Sequence, residues 1–280
     1  MSRVPGPPET SAPEPEARKR DAGLAASFAS RRILGMRVDA TCYDAAVDAI
    51  AELAEAGRGG MTCCASVHMV MEAWDDPGFR RIVNGADLVT PDGVPLVWGL
   101  RALGVPDATR VYGPELMPRL CEAAATRRIP VGFYGGSGAV LPELVRRLTQ
   151  RLPALDVRFA HSPPFAPVPS EPDPELALTL RDSGTRLLFV GLGCPKQERF
   201  MSLYRESLPC AQVGVGAAFD FLAGSKRQAP RSLQDAGLEW LFRMLTEPRR
   251  LAGRYLVNVP RFIACFGAQL VRTALRGDQA

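Results

Sequence analysis

The sequence predicts an α/β protein with a Rossmann-like, doubly wound, mostly parallel sheet and a helical C-terminal appendage. Short apolar segments alternate with amphipathic ones, and most apolar segments run into a turn containing glycine or proline. The 280 residues are 46% hydrophobic, which is enough for a large buried core. Ligands of such sheets bind at the carboxyl ends of the strands, and the polar and glycine residues of this chain collect at those ends.

The first predicted elements follow residue 30. Residues 33–38 are predicted to form one strand, and Thr41 is predicted to cap a helix that Gly57 ends. Residues 162–174 are predicted to form a proline-rich loop. The remaining strands are predicted at 61–65, 87–90, 131–134, 187–190 and 212–215, with helices at 67–74, 96–103 and from about 139 to 151.

The composition divides the chain into three parts. Residues 1–30 hold five prolines among small and charged residues, which favours a disordered arm. Residues 31–240 carry the Rossmann-like pattern. Residues 241–280 form a basic appendage with a net charge of +5, against +4 for the whole chain, and are predicted to form two or three short helices broken at Pro248 and Pro260. The appendage is therefore expected to meet an anionic partner.

The cellular setting is predicted from cysteines and hydropathy. Seven cysteines without a CxxC pair suit a reducing compartment. Neither a secretory signal nor an apolar run of about 20 residues is found, so we expect a cytoplasmic protein that does not cross a membrane. No nucleic-acid partner is expected, and association between copies of the chain is left open.

The first candidate for chemistry is Asp92, in the stretch ADLVTPDGVP at 86–95. A carboxylate between Pro91 and Gly93, just past an apolar strand, would project into the cleft above the sheet. The alternative is that Asp92 caps the following helix or forms a type I turn. Position by itself favours that alternative.

Two glycine-rich turns are candidates for holding a phosphate. In GLGCPKQE at 191–198, backbone N–H groups at a helix start lie beside Lys196, although an ordinary strand–helix turn is equally compatible. The turn GGSG at 135–138, containing Gly136, is weaker because such turns are common in this fold. Asp220, after the turn at 214–217, could accept hydrogen bonds from a ribose or a base, or simply cap a helix.

Several site classes are disfavoured. The motif G-x-G-x-x-G is incomplete at both Gly191 and Gly214, which argues against a nicotinamide-dependent oxidoreductase. Two histidines and no acidic triplet in a suitable setting predict no metal site and no cofactor.

Five ordered motifs closely resemble the WecG/TagA/CpsF glycosyltransferase family over about residues 33–260. They are ADLVTPDGVPLVW at 86–98, RVYGPEL at 110–116, GLGCPKQE at 191–198, VGVGAAFDFLAGSKRQAP at 213–230 and GLEWLFRMLTEPRR at 237–250. The resemblance implies inverting, metal-independent transfer of a hexose or N-acetylhexosamine-type sugar. The donor is usually a UDP-sugar and the acceptor a polyprenyl-diphosphate-linked saccharide, in the building of cell-surface polymers. It also implies a peripheral enzyme at the inner face of the bacterial cytoplasmic membrane.

The resemblance also assigns site residues. Asp92 matches the family's proposed base, Gln197 a residue near the donor, Asp220 an acid on the nucleotide side and Arg110 the arginine of R-x-x-G. Family members carry Thr-x-Asn at the end of the second strand. Here residues 62–66 read TCCAS, which makes Thr62 and Ser66 substrate-binding candidates, with Ser66 at the Asn position.

The appendage is predicted to dock on an anionic membrane. On a helical wheel Arg261, Arg272 and Arg276 form one stripe, and residues 262, 263, 266 and 270 form an apolar one beside it. The alternative is an apolar face packed on the core. Arg249 and Arg250 are candidates for reaching the donor diphosphate. The other functions that remain open are a nucleotide-binding scaffold without activity and, less favoured, the oxidoreductase.

Overall fold

The computed structural model describes residues 28–276, except the side chains of Asp235, Arg250, Arg254 and Arg276. The predicted arm at 1–30 lies almost wholly outside this range, and the three-part division of the chain stays a prediction.

The described part begins with a hairpin instead of the single strand predicted at 33–38. Strands β1 (Ser30–Ile33) and β2 (Met36–Asp39) pair antiparallel. Leu34 and Gly35 form the turn, with φ values of 51° and 84°. Two-residue hairpin turns need such left-handed conformations, and Asn-Gly is their usual sequence signal. Here the turn residues are Leu-Gly within an apolar run, so the sequence did not indicate a turn.

Within the described residues the central sheet has six strands, all parallel, where a mostly parallel sheet was predicted. Their order is β4-β3-β8-β7-β5-β6. Five strands lie within one or two residues of the predicted positions, whereas β6 was not predicted. The strands are β3 (Gly60–Ala65), β4 (Leu88–Pro91), β5 (Val131–Gly135), β6 (Val157–His161), β7 (Leu187–Gly191) and β8 (Ala211–Gly214).

Helices cover both faces of the sheet, which confirms the doubly wound fold. One apolar cluster joins α1, α5, α6 and α9 to the sheet, and a second joins α2, α3, α4, α7, α8, α12 and the hairpin. The helices are α1 (Tyr43–Ala56), α2 (Val67–Asp75), α3 (Pro77–Asn84), α4 (Val94–Ala102), α5 (Gly113–Arg127), α6 (Val140–Arg151), α7 (Pro174–Asp182), α8 (Lys196–Tyr204), α9 (Ala218–Leu222), α10 (Arg231–Asp235), α11 (Glu239–Thr246) and α12 (Pro248–Arg276).

The predicted ends of α1 are half right. Gly57 ends the helix in the left-handed conformation, with φ of 61°. Thr41 does not cap it: the N-cap is Cys42, and the Thr41 hydroxyl donates to the Cys42 carbonyl instead. Asp76 caps α3, since its side chain accepts hydrogen bonds from the backbone N–H groups of Gly78 and Phe79.

The appendage forms two helices with a break next to Pro248, but Pro260 does not break α12. Packing holds both sides of the proline. The stacked rings of Phe262 and Phe266 are buried in the core cluster, and Asn258 lies 3.1 Å from Nδ1 of His68 on α2. These contacts outweigh the hydrogen bond that a proline removes from a helix.

The apolar stripe predicted for membrane contact is wrong at Phe262 and Phe266, which pack on the core as the alternative expected. Leu270 is partly buried against the same cluster, whereas Ile263 is exposed. Arg261 forms a bidentate contact with Asp75 of α2. Ile263 belongs to an apolar stripe on the outward side of α12, whose other members were not predicted. Its members are each more than half exposed: Leu256, Val257, Ile263, Val271 and Leu275. Within residues 28–276, no helix is long and apolar enough to span a bilayer.

Candidate active site

The parallel sheet places most of the predicted site residues along one edge, because each follows the carboxyl end of a strand. Neighbouring strands are about 4.8 Å apart, so the row from β4 to β5 is about 19 Å long. In order along that edge stand Asp92 after β4, Ser66 after β3, Asp220 after β8, Lys196 and Gln197 after β7, and Gly136 after β5.

Asp92 lies in a loop fixed to the neighbouring strand. The backbone N–H groups of Asp92 and Gly93 both donate to the carbonyl of Ala65, over 2.9 and 3.1 Å. The Asp92 carboxylate does not cap α4, whose N-cap is Gly93. Its Oδ2 instead accepts the backbone N–H of Gly113, over 2.9 Å, at the first residue of α5. Asp92 therefore lies at the positive end of a helix that begins 21 residues later.

The environment makes Asp92 a better proton acceptor than an exposed carboxylate. Burial raises its pKa from 3.8 to about 6, and the charge of Glu239 acts in the same direction. Arg110, the Gly113 N–H and Arg243 oppose this rise. A carboxylate with this pKa is ionised at neutral pH and can take a proton from a hydroxyl.

Arg110 connects Asp92 to the appendage. Its Nε donates to the Asp92 backbone carbonyl over 2.5 Å, and its Nη2 donates to Oε2 of Glu239 over 2.7 Å. The Tyr112 hydroxyl donates to Oε1 of Glu239 over 2.6 Å, and the guanidinium lies 4.1 Å from the centre of the Tyr112 ring. Both oxygens of Glu239 are thus engaged, and α11 is bonded to the loop before α5.

Arg243 is a second cation of α11 near Asp92. It lies one turn after Glu239, over the ring of Phe221 at 5.6 Å, and its charge lowers the pKa of Asp92. Its Nε is buried and has no hydrogen-bond partner among the described residues. An anion bound near Asp92 would supply such a partner.

Gln197 joins two loops of the site edge. Its Oε1 accepts from the backbone of Gly193 and of Gly216, each over 3.1 Å. Its Nε2 donates to Oε1 of Glu198 over 2.8 Å. The amide holds the loops after β7 and β8 together, while the predicted contact of Gln197 with a donor stays a prediction.

Glu198 is a fully buried carboxyl group that sequence reasoning did not select. Burial raises its pKa to about 7, against the hydrogen bonds from Gln197 and Cys194. Its Oε2 has no hydrogen-bond partner among residues 28–276.

The glycines allow the middle loops to converge. A Cβ on Gly135 would lie 2.7 Å from the backbone of Gly191, and one on Gly191 would lie 2.7 Å from the ring of Phe219. Gly136 has φ of 71° and donates its N–H to the Gly191 carbonyl. Side chains here would force the loops after β5, β7 and β8 apart.

Asp220 is engaged with the chain that leads into the appendage. Its Oδ2 lies 3.2 Å from Nζ of Lys226, which also lies 3.3 Å from Glu247. Asp220 therefore organises the loop after α9, and its predicted contact with the nucleotide stays a prediction.

Lys196 lies at the mouth of a cavity of about 210 Å³ under the proline-rich loop. Its Nζ is 4.8 Å from the centre of the exposed Phe165 ring. Stacked aromatic rings from β5 and α8 line the floor: Tyr134, Phe200 and Tyr204.

Two predicted residues do not join this group, and the side chain of a third is not described. Thr62 is buried in the middle of β3. Cys64 lies nearer to the Asp92 loop, since its Sγ and Asp92 Oδ2 are 3.5 and 3.4 Å from the point where Gly113 would carry a Cβ. Arg249 is exposed at the start of α12, without a described contact to the Asp92 network, and the Arg250 side chain lies outside the described part.

The described residues contain no group of three His, Cys, Asp or Glu side chains placed to hold a metal ion. What the site offers is a carboxylate with a raised pKa, cations beside it and backbone N–H groups along the edge.

The missed residues Tyr112, Glu198, Glu239 and Arg243 all lie within the quoted motifs RVYGPEL, PKQE and GLEWLFRM. Their motifs were visible, but their contacts were not. Arg110 and Glu239 are 129 residues apart, so sequence spacing could not show that they meet.

The fold and the residues along this edge suit the class of α/β enzymes that bind their ligands at the carboxyl ends of parallel strands. A family model described as "Glycosyl transferase WecG/TagA/CpsF family" matches residues 31–276. The chain belongs to that family, as its motifs indicated. It is also similar to a Bacillus spizizenii protein named N-acetylglucosaminyldiphosphoundecaprenol N-acetyl-beta-D-mannosaminyltransferase. The two are 29% identical over 207 residues, covering 74% of this chain and 78% of the relative.

Proposed function

We propose that this glycosyltransferase moves an N-acetylhexosamine-type sugar from a UDP-sugar to a polyprenyl-diphosphate-linked saccharide, with inversion and without a metal ion. The observation that carries the proposal is Asp92, with its raised pKa, among the cations of two separate segments. The name of the Bacillus relative, which joins such a donor sugar to such an acceptor, supports the choice of substrates.

Asp92 acts as the general base in this reaction. The acceptor hydroxyl oxygen attacks the anomeric carbon of the donor sugar, and Asp92 takes the hydroxyl proton as the new C–O bond forms. The bond from that carbon to the diphosphate breaks on the opposite face, and the nucleotide leaves with the electron pair. A single displacement of this kind inverts the anomeric centre.

The leaving diphosphate needs positive charge and N–H donors. Arg243, with its buried Nε, and Lys196 are the described cations best placed to supply charge. Helices α6 and α8 begin just after the turns at Gly136 and Gly193, and the positive end of each helix favours a bound phosphate. The edge, about 19 Å long, has room for a nucleotide sugar with its sugar near Asp92 and its nucleotide towards β7 and β5.

The appendage brings the enzyme to its lipid-linked acceptor at the inner face of the membrane. The outward stripe of α12 is apolar, and Arg249 and Arg272 are exposed on the same helix. An exposed apolar stripe with neighbouring arginines suits a helix lying among anionic headgroups.

The test is a transfer assay with a synthetic prenyl-diphosphate-linked N-acetylglucosamine and a panel of labelled UDP-sugars. We expect a disaccharide product of inverted configuration from one N-acetylhexosamine donor, formed equally well in EDTA. UDP-sugar binding without any product would instead favour the scaffold. Loss of activity in EDTA and its return with magnesium would overturn the metal-free mechanism.

A further inference from the structure

We propose that Glu239 is a positioning residue that holds Arg110 on the backbone of the Asp92 loop and away from the Asp92 carboxylate. The inference rests on the proposed role of Asp92 as base. It assigns to the first residue of α11, the helix that leads into the appendage, a role inside the active site.

Two hydrogen bonds fix the position of the Arg110 guanidinium. Arg110 makes two directed contacts, one to the Asp92 backbone carbonyl and one to Oε2 of Glu239, over 2.5 and 2.7 Å. Neither contact uses the Asp92 carboxylate, whose Oδ2 accepts from Gly113. The guanidinium is thus anchored at two points and stacked on Tyr112, which leaves the base without a direct ion pair.

Without Glu239, the contacts of Arg110 would change. A largely buried guanidinium requires an anion, because removing one member of a buried pair leaves an uncompensated charge. Glu239 and Asp92 are the two carboxylates that interact with Arg110. Without the Glu239 charge, Arg110 would turn to the Asp92 carboxylate, and an ion-paired Asp92 is a weaker and less accessible base.

The other charged and titratable groups around Asp92 do not replace Glu239. Arg243 is a second cation and strengthens the need for an anion on this side. The remaining groups are neutral at pH 7, since burial raises the pKa of each: Tyr43, Cys64 and Tyr112. Glu239 is therefore the anion that balances the two arginines.

The contact between Glu239 and Arg110 also links the active site to the C-terminal helices. Glu239 is the first residue of α11, and α11 leads directly into α12 with its outward apolar stripe. Glu239 precedes the appendage by two residues, so its contacts tie the loop before α5 to the helix that leads into the appendage.

The experiment compares Glu239→Gln with wild type and with Glu206→Gln, a change at an exposed glutamate beyond α8. The carboxyl carbon of Asp92 is titrated by NMR in protein labelled at aspartate, without substrate, and is identified by its loss in Asp92→Asn. In parallel, kcat and KM are measured against pH.

In Glu239→Gln we expect Asp92 to titrate at lower pH and the acidic limb of kcat/KM to move the same way. The value of kcat should fall about tenfold, as expected for a weakened base, with the donor KM changed by less than about threefold. Glu206→Gln should match wild type in every readout.

An unchanged Asp92 titration in Glu239→Gln would overturn the proposal, even with lower activity, because a merely structural role predicts that result. Should that variant not fold, Glu239→Asp withdraws the charge by one methylene and must lower the titration by a smaller amount. Absence of transfer by the wild type would refute the proposed function but leave the titration to decide the role of Glu239.

Discussion

The backbone N–H of Gly113, the first residue of α5, donates to Oδ2 of Asp92 over 2.9 Å. Burial raises the proton affinity of Asp92, and the helix start restrains that rise. The balance gives a carboxylate that is ionised at neutral pH and that has a helix start, not a cation, as its hydrogen-bond partner.

Asp92→Asn should reduce kcat by about 10²- to 10⁴-fold, the usual effect of losing a general base. Asparagine can still accept the Gly113 N–H, so the affinity for the UDP-sugar should stay within a few-fold. Steady-state kinetics and donor titration measure the two effects. Asp182→Asn, at the exposed end of α7, is the matched control, and near-normal turnover in Asp92→Asn would remove it as the base.

The pH dependence should show one acidic limb that belongs to Asp92. Its pKa in the folded protein is raised to about 6, and the active form is the ionised one. Activity should therefore be full above about pH 7 and fall about tenfold per pH unit well below 6. A limb near pH 4 in kcat/KM would mean that the base is an ordinary exposed carboxylate.

Gln197→Ala should raise the donor KM about tenfold. The substitution removes Oε1, which accepts a hydrogen bond from the loop after β7 and another from the loop after β8. Each such hydrogen bond contributes about 1 kcal/mol. Gln150→Ala, on the outside of α6, is the control. Binding of the UDP-sugar by calorimetry gives the direct comparison. Equal affinities in a folded Gln197→Ala protein would show that the loops keep their places without the amide.

Glu198→Gln should remove a component of the pH dependence of stability. Burial raises the pKa of Glu198 from its usual 4.5 to about 7 in the folded protein, so the folded state holds the proton more tightly than the unfolded chain. This pKa shift stabilises the folded state fully below about pH 4.5, and the stabilisation is lost as the pH rises to about 7. The resulting change in the free energy of unfolding is on the order of 3 kcal/mol.

The measurement is the Tm of wild type, Glu198→Gln and the control Glu206→Gln at pH 5.5 and 8. The difference between the two pH values should be smaller in Glu198→Gln than in the other two. Parallel behaviour of all three proteins would show that Glu198 ionises normally.

Replacing Ile263 and Val271 by serine together should weaken binding to anionic vesicles at least tenfold. Each buried apolar side chain contributes about 1.5–3 kcal/mol, and both residues lie on the outward stripe of α12. Leu178→Ser on α7, where the leucine is equally exposed, is the control. Co-sedimentation with anionic vesicles at low and high salt tests the effect. Vesicle binding that changes neither with the substitutions nor with the salt concentration would exclude this docking surface.

The point substitutions are preferable to deleting the chain after Trp240. Deletion would also abolish vesicle binding, but it would uncover the core contacts of Phe262 and Phe266. A folded protein is needed for the membrane effect to be separated from a loss of stability.

The sequence predicted the sheet well because its central strands are fully buried. Such strands read as continuous apolar runs, and the turns after them carry glycine. Strand β6 was not predicted because it is an edge strand in which Phe159 is the one buried residue, so it forms no apolar run. Pro260 was misjudged because tertiary packing, which local propensity cannot express, holds the helix on both sides.

The site was predictable where a residue follows a strand and unpredictable where two distant segments meet. Asp92, Gln197 and Asp220 stand where their strand ends place them. The contacts of Arg110 with Glu239 and of Lys226 with Glu247 depend on how α11 and α12 return to the sheet. No periodicity in the chain specifies that return.

The last strand of the sheet ends at Gly214, well before the residue that engages Arg110 and Tyr112. The segment that forms the sheet therefore precedes, along the chain, the residue that contacts Arg110 and Tyr112. A nascent chain emerging from the ribosome would have all six strands available before Glu239 is synthesised. During that interval Arg110 would lack its partner, so under the proposed mechanism Asp92 could act as a base only after Glu239 and helix α11 had been made.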